Sequence, residues 1–293
     1  MAGALLLLVL AFLMFNRYRL KEKTNKLLES QNHIISEKNK DISDSINYAK
    51  KIQDAILPSI DDIQKVFPES FILSIPKDVV SGDFYWGAAT GSITNEKFIL
   101  ATADSTGHGV PGAIMSILNI SCLKESVKEG ILQPAEILNR TRKLIIDTLA
   151  LDGSAEGGKD GMDASLTIYD FKNKKLIVSS ANNPVWIIRG TETIEIKADK
   201  MPVGKHDKQN ISFTQQEIQL QSGDVVYSLT DGFPDQFGGP KGKKFMYKNL
   251  EKILIESKDE LLEVQKNILD KEFDKWKGSH EQIDDVCIIG LKI

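Results

Sequence analysis

Apolar and polar positions divide the chain into three stretches of different period. Ala2 to Phe15 is unbroken by any charged or polar side chain, and Arg17, Arg19, Lys21 and Lys23 follow it directly. Arg17 to Leu57 contains neither proline nor glycine; Leu20, Leu27 and Ile34 recur there at sevens, and Ile35, Ile42, Ala49 and Ile56 do so again one residue later. A seven-residue apolar repeat predicts a long helix whose seam faces a partner, here a coiled coil in two parts with a register slip near Ile34 and Ile35. A single amphipathic helix folded back on its own domain is the competing reading. Pro58 ends the helix, because it has no N–H to donate.

Beyond about Ile60 short apolar runs alternate with turn residues. They predict strands over Ser70 to Ile75, Lys97 to Asp104, Ala164 to Asp170, Lys175 to Ser180, Val185 to Arg189, Thr193 to Lys197, Ser212 to Leu220, Asp224 to Thr230 and Val286 to Ile293. Val110 to Glu129 and Pro134 to Leu149 read as one helix pair, with a proline in the first turn of each, and Tyr247 to Glu256 and Asp259 to Trp276 as a second. The six middle strands have no room for crossover helices between them and must pair largely antiparallel. The expected fold class is therefore α+β, with sheets inside and helix pairs outside. The chain divides into an apolar segment 1–16, a helical stalk 17–57 and a globular domain 60–293.

The apolar segment is 14 residues long, whereas a helix that spans a bilayer needs about 20. It reads as a marginal membrane anchor, or as the remainder of one whose start lies in a longer protein, with a buried or partner-bound helix as the alternative. A cleaved signal peptide fits poorly, since the basic residues lie after the apolar run rather than before it. The positive-inside rule would put everything after Phe15 in the cytoplasm, with the anchor in the inner membrane. The net charge of −4 and the absence of a basic cluster interleaved with aromatics exclude nucleic acid as a partner. Cys122 and Cys287 both lie in apolar stretches and read as reduced core thiols.

Candidate chemistry rests on four aspartate settings: Ser81-Gly82-Asp83, Asp104-Ser105-Thr106-Gly107, Thr230-Asp231-Gly232 and Asp284-Asp285. An aspartate beside glycine is by itself more often a turn or cap. Carboxylates delivered from several strand ends, however, are what hard divalent cations such as Mg2+ or Mn2+ require, and a pair of such ions activates water against a phosphate ester. Gly107, Gly109 and Gly112 also fit the dinucleotide pattern G-x-G-x-x-G. That reading is rejected, because the helix after them leads into another helix rather than into a parallel strand. Neither a D-x-D-x-T nucleophile nor a reactive cysteine loop is present, so other phosphatase chemistries lack their residues.

The longer strings Val80-Ser81-Gly82-Asp83-Phe84-Tyr85-Trp86, Ala103-Asp104-Ser105-Thr106-Gly107-His108-Gly109-Val110-Pro111-Gly112-Ala113, Thr230-Asp231-Gly232-Phe233 and Gln282-Ile283-Asp284-Asp285-Val286 occur in this order. Together they resemble the signatures of bacterial PP2C-type serine phosphatases of the sporulation stage II E and sigma-regulator class, over about Ile52 to Ile293. The resemblance implies a PP2C-like layered sandwich of antiparallel sheets flanked by helix pairs. It implies that Asp83, Asp104, Asp231 and Asp284 are catalytic by holding two Mn2+ or Mg2+ ions, with Asp104 bridging and the Ser105 carbonyl as a further ligand. Asp285 is either a ligand itself or a support behind one. The implied substrate is phosphoserine or phosphothreonine on a small regulator such as an anti-sigma-factor antagonist, in a homodimer joined by the stalk. A phosphatase-like scaffold that binds a phosphoprotein without turnover is the alternative, and an autoinhibited fragment is a third reading.

Several residues stay open. His108 could be a general acid or could shape the start of the following helix. Trp86 stands where many relatives carry an acidic residue, and no basic residue near it is an obvious phosphate clamp. Gly157, Gly158 and Lys159, before Asp160, could form a lid, supply an extra acidic ligand or be a plain solvated loop. The insert from Phe233 to Phe245, with Gly238-Gly239-Pro240 and three lysines, could dock a partner or cap the structure.

Overall fold

The computed structural model describes residues 2–90, 97–150 and 159–293. The chain forms two compact units, Met1–Tyr48 and Ala49–Ile293. The first is the larger part of helix α1 (Ala2–Ile56), uninterrupted because nothing from Arg17 onward breaks it. Leu20, Leu27, Ile34, Ile35 and Ile42 on it are all more than half exposed.

The second unit begins inside the last turns of α1 and continues through α2 (Ile60–Gln64), β1 (Ser70–Ile75), β2 (Asp83–Thr90), β3 (Lys97–Ser105), α3 (Gly109–Lys128), α4 (Pro134–Leu149), β4 (Gly161–Asp170), β5 (Lys175–Ala181), β6 (Val185–Arg189), β7 (Glu192–Ile196), β8 (Val203–Gly204), β9 (Gln216–Gln219), β10 (Val225–Leu229), α5 (Gly232–Asp235), β11 (Phe237–Gly238), β12 (Lys243–Lys244), α6 (Tyr247–Glu256), α7 (Leu262–Lys277) and β13 (Val286–Lys292). One sheet runs β1-β13-β10-β6-β7 and the other β2-β3-β4-β5-β9, with β8 beside β4; every ladder between these strands is antiparallel. Alternation along each strand sends side chains to opposite faces. Ile99, Ala101, Leu166 and Ile168 therefore meet Ile120, Leu123 and Ile137 of α3 and α4. Phe98, Leu100, Tyr169 and Val178 meet Ile72, Ile187 and Ile289 between the sheets. Tyr227, Leu229 and Ile288 meet Leu250, Leu269 and Phe273 of α6 and α7. The result is a helix, sheet, sheet, helix sandwich, the α+β class expected from the sequence.

Three expectations are corrected. The apolar pattern does not predict β2, whose aspartate, glycine and alanines are poor strand formers; an eight-residue ladder with β3, from Asp83 opposite Asp104 to Thr90 opposite Lys97, holds it. The strand expected over Ser212 to Leu220 shrinks to Gln216–Gln219. The membrane anchor and the inner-membrane location are not supported, because among the described residues no helix is long and apolar enough to cross a membrane. At 1.5 Å per residue the apolar run reaches only about 21 Å, against a hydrocarbon core of about 30 Å.

Two open points resolve into packing. Trp86 is buried against the α3 and α4 core, because alternation from Asp83 turns it to the opposite face of β2. The insert after Asp231 is an aromatic cap: Phe233 packs on Phe245 and Phe273, and Phe245 on Trp276. Cys122 and Cys287 are free and buried. Gly157 and Gly158 lie outside the described residues.

Candidate metal centre

The four aspartate motifs meet at one end of the sandwich, and glycine lets them do so. A Cβ on Gly82 would strike the carbonyl of Gly107, and one on Gly232 would strike the carbonyl of Asp285. Motif one therefore closes on motif two, and motif three on motif four, only with hydrogen as the side chain. Asp104, Asp231 and Asp284 each bring a carboxylate oxygen within 4.8 Å of the others. Asp83, opposite Asp104 in the ladder, lies deeper at 4% exposure. Its Oδ2 accepts from Thr230 Oγ1 at 2.7 Å, while Oδ1 is buried with no partner among the described residues.

The neighbouring Asp285 is not part of this cluster. Its Oδ1 accepts from the backbone N–H of Lys77 at 2.7 Å and its Oδ2 from that of Gly82 at 2.6 Å. Asp284 thus faces the cluster, whereas Asp285 ties the last strand to the loop that carries Asp83. Ser105 lines the same cavity of about 180 Å³ as Asp104, Asp163, Asp284 and His108. Its hydroxyl accepts from Asn119 Nδ2 of α3 at 3.0 Å. His108 takes the N-cap position of α3 without a side-chain capping bond, and its Nδ1 lies 3.1 Å from Asp78 Oδ2.

Crowding carboxylates in a low-dielectric site disfavours their charged forms. Burial pushes Asp83 well above the usual carboxylate range, and the charge of Asp104 adds to this. Burial together with Asp231 and Asp284 raises Asp104 to about 8, and burial together with Asp235 and Asp284 raises Asp231 to about 6. Asp284 is raised mainly by burial. An all-oxygen donor set with an unpartnered buried carboxylate oxygen and mutual repulsion fits a hard divalent cation.

A sequence model of the stage II sporulation protein E (SpoIIE) family matches residues 94–293. The chain belongs to that family. Its members are PP2C-type serine/threonine phosphatases. The PP2C domain of SiaA from Pseudomonas aeruginosa is 29% identical, with a TM-score of 0.77 over 87% of this chain and 98% of that one. The phosphatase domain of SpoIIE from Bacillus subtilis, determined with a fragment of its regulatory domain, is 20% identical, with a TM-score of 0.62 over 77% of this chain and 63% of that one. The RsbU and RsbW domains of a Mycobacterium tuberculosis protein share the fold at 16% identity and a TM-score of 0.56, over 77% of this chain and 60% of that one. No curated protein sequence matches the chain.

The structure adds two residues to this SpoIIE-family site that sequence reasoning missed. Asp163 lies opposite Asp104 in the β3 and β4 ladder, and its Oδ1 accepts from Asn182 Nδ2 at 2.8 Å. Its facing of Asp104 depends on ladder register, which no single strand displays. Gln53 is 3% exposed on α1; its Nε2 donates to the Ser81 carbonyl at 2.6 Å and to Ser116 Oγ at 2.9 Å, while the Ser81 N–H donates to its Oε1 at 3.2 Å. A signal for it existed: Ile42, Ile46, Ala49, Gln53 and Ile56 step by four and three, so a glutamine occupies the apolar stripe.

The raised carboxylates set a pH dependence with a definite sign. A group whose folded pKa exceeds its unfolded value stabilises the fold below the unfolded pKa, and that contribution is lost as pH rises through the folded one. In chelator, the melting temperature should fall as pH rises from 3.8 to about 8, the span of Asp104. Mn2+ should restore it most at the upper end, where protons no longer compete. Thermal scans across that range, with and without Mn2+, check both.

Proposed function

We propose that the domain hydrolyses phosphoserine or phosphothreonine on a regulatory protein of the anti-sigma-factor-antagonist kind, with two Mn2+ or Mg2+ ions held by Asp83, Asp104, Asp231 and Asp284. The observation that carries this reading is the convergence of the four aspartates at one mouth of a SpoIIE-family sandwich. When bound, such ions supply an activated water and offset charge on the phosphoryl group. Asp104 is central to the ligand set, since Asp83 lies opposite it in the ladder and Asp231 and Asp284 bring carboxylate oxygens within 4.8 Å of its own. Thr230 fixes Asp83, and Asp285 fixes the loop before it. The Ser105 carbonyl is a further donor in this reading. The SpoIIE of known structure is by its description a cell fate determinant with a regulatory domain, which supports the substrate class.

Regulation through the N-terminal helix follows from Gln53. Its three hydrogen bonds fasten the end of α1 to the Ser81 backbone, two residues before Asp83, and to α3. A change in α1 that withdrew Gln53 would leave the Ser81 carbonyl and N–H buried without a side-chain partner and free the loop to shift. The exposed Leu20, Leu27, Ile34 and Ile42 support a homodimer joined through the stalk.

The full chain should release phosphate from a phosphoserine protein in Mn2+ and not in chelator. Asp231→Asn should lower the rate about a hundredfold or more, a loss of several kcal/mol of metal-derived stabilisation. Mn2+ binding without turnover under every condition would favour the scaffold reading instead. Gln53→Ala should cut turnover about tenfold, the usual scale for a residue that supports a ligand from behind; unchanged turnover would sever α1 from the site. Sedimentation at micromolar concentration should give a dimer, and a monomeric mass would remove the coiled coil.

A further inference from the structure

Ladder register arranges the inner face of the β2-β3-β4-β5 sheet into rows. The row at the mouth is Asp83, Asp104 and Asp163, with Asn182 bonded to its end. The next row inward is Tyr85, Thr102, Ser165 and Ser180, each opposite its neighbour in the pairing. The row after that contains Leu100, Thr167 and Val178, and the last Phe98, Tyr169 and Leu176. Polarity thus falls in steps from carboxylate to hydroxyl to hydrocarbon.

The hydroxyl row is anomalous in its hydrogen bonding. Thr102, Ser165 and Ser180 are 0%, 0% and 4% exposed, and none of their hydroxyls has a hydrogen-bond partner among the described residues. Asn183 Nδ2, just past β5, is likewise buried and unpartnered, as is Asp83 Oδ1 in the row above. Thr167, one row deeper, satisfies its hydroxyl on the Leu100 carbonyl at 3.1 Å, whereas the buried Tyr169 hydroxyl in the last row also has no partner among the described residues. Leaving a hydroxyl buried and unmade costs about 1–3 kcal/mol, and the three hydroxyls are consecutive in one row. The facing sheet contributes short side chains at this level, Ser228 and Cys287, both buried. Tyr85 packs against the inter-sheet core at one end of this row; along the rest, serine, threonine and cysteine are short for the separation of about 10 Å usual between packed sheets, and a polar space with several donors and acceptors is where buried water sits.

We infer that Thr102, Ser165 and Ser180 hold a layer of ordered water between the sheets, and that this layer braces Asp83 and Asp104 from the interior side. The hydroxyls are positioning residues: they act on the cations only through the carboxylates. The hydrated layer stands on the hydroxyl row itself; its bracing role rests on the metal reading above.

The test uses the full chain with Thr102→Val, Ser165→Ala and Ser180→Ala combined, and Thr102→Val alone as an isosteric variant in case the triple variant does not fold. Stability is measured in chelator, Mn2+ affinity by calorimetry, and ligand geometry by the Mn2+ electron paramagnetic resonance spectrum. The expected result is lower stability, Mn2+ affinity weaker by about tenfold and an altered spectrum. A stability gain or no change would overturn the inference, because replacing solitary hydroxyls by apolar groups removes a desolvation penalty. Lower stability with unchanged affinity and spectrum would overturn the bracing. If the wild-type chain bound no Mn2+, the metal reading and the bracing would fall, and the sign of the stability change would still decide whether the layer is hydrated. A high-resolution crystal structure should show water within hydrogen-bond distance of at least two of the three hydroxyls; a dry layer would overturn the inference.

Discussion

Like charges do not gather unless something holds them, and the layout of this domain follows from that. Asp83, Asp104, Asp231 and Asp284 belong to distant parts of the chain and raise one another's pKa values where they meet. Their backbone supports must withstand the repulsion before any cation arrives. The Asp285 carboxylate supplies one, accepting two backbone N–H bonds from the loop that leads to Asp83. Thr230 supplies another: its hydroxyl donates to Asp83, and it also accepts from the Cys287 N–H at 2.9 Å, so the third motif is tied to the first and to the last strand at once. These bonds join the two sheets at the mouth, where the hydrophobic core between them has run out.

The sandwich suits this task because antiparallel strands deliver alternate ends to the same side. β3 presents Asp104 at its C-terminal end, while β2 and β4 present Asp83 and Asp163 at their N-terminal ends, and ladder register sets the three in a row. β10 and β13 perform the same service from the opposite sheet, with Asp231 just after one strand and Asp284 just before the other. The remaining faces then have only to bury hydrocarbon. Tyr227 shows one way a polar atom is met there: it is fully buried under α7, and its hydroxyl donates to Gln265 at 2.5 Å. Behind the carboxylates three consecutive hydroxyls lack such a partner among the described residues.

Much of this was legible in the sequence, for physical reasons that differ from element to element. Most strands and both helix pairs announce themselves by apolar period, and the aspartate motifs by their glycines, because close backbone approach leaves a compositional trace. β2 was not legible, since its conformation comes from the β3 ladder rather than from its own residues. Nor was the choice between Asp284 and Asp285 legible: neighbours on an extended backbone point oppositely, and only the positions of Lys77 and Gly82 show which one is occupied. Asp163 was hidden for the same reason, because register is a property of two strands. The apolar N-terminal run misled in the opposite direction, as composition without sufficient length does not make a span.

Gln53 connects the legible stalk to the site that it could not be seen to touch. A glutamine in the apolar stripe is a poor core residue, and it is retained in a buried position only by meeting polar partners. Those partners are the backbone of the Ser81 loop and a hydroxyl of α3, so the same hydrogen bonds hold the end of α1 and the loop before Asp83. Linkage then requires reciprocity: to whatever extent an engaged Gln53 favours cation binding, bound cations favour an engaged Gln53 by the same free energy. In the proposed regulation, a helix coupled in this way would not need to reach the reacting atoms to govern them. It would have only to change the fraction of molecules in which the first aspartate is in place.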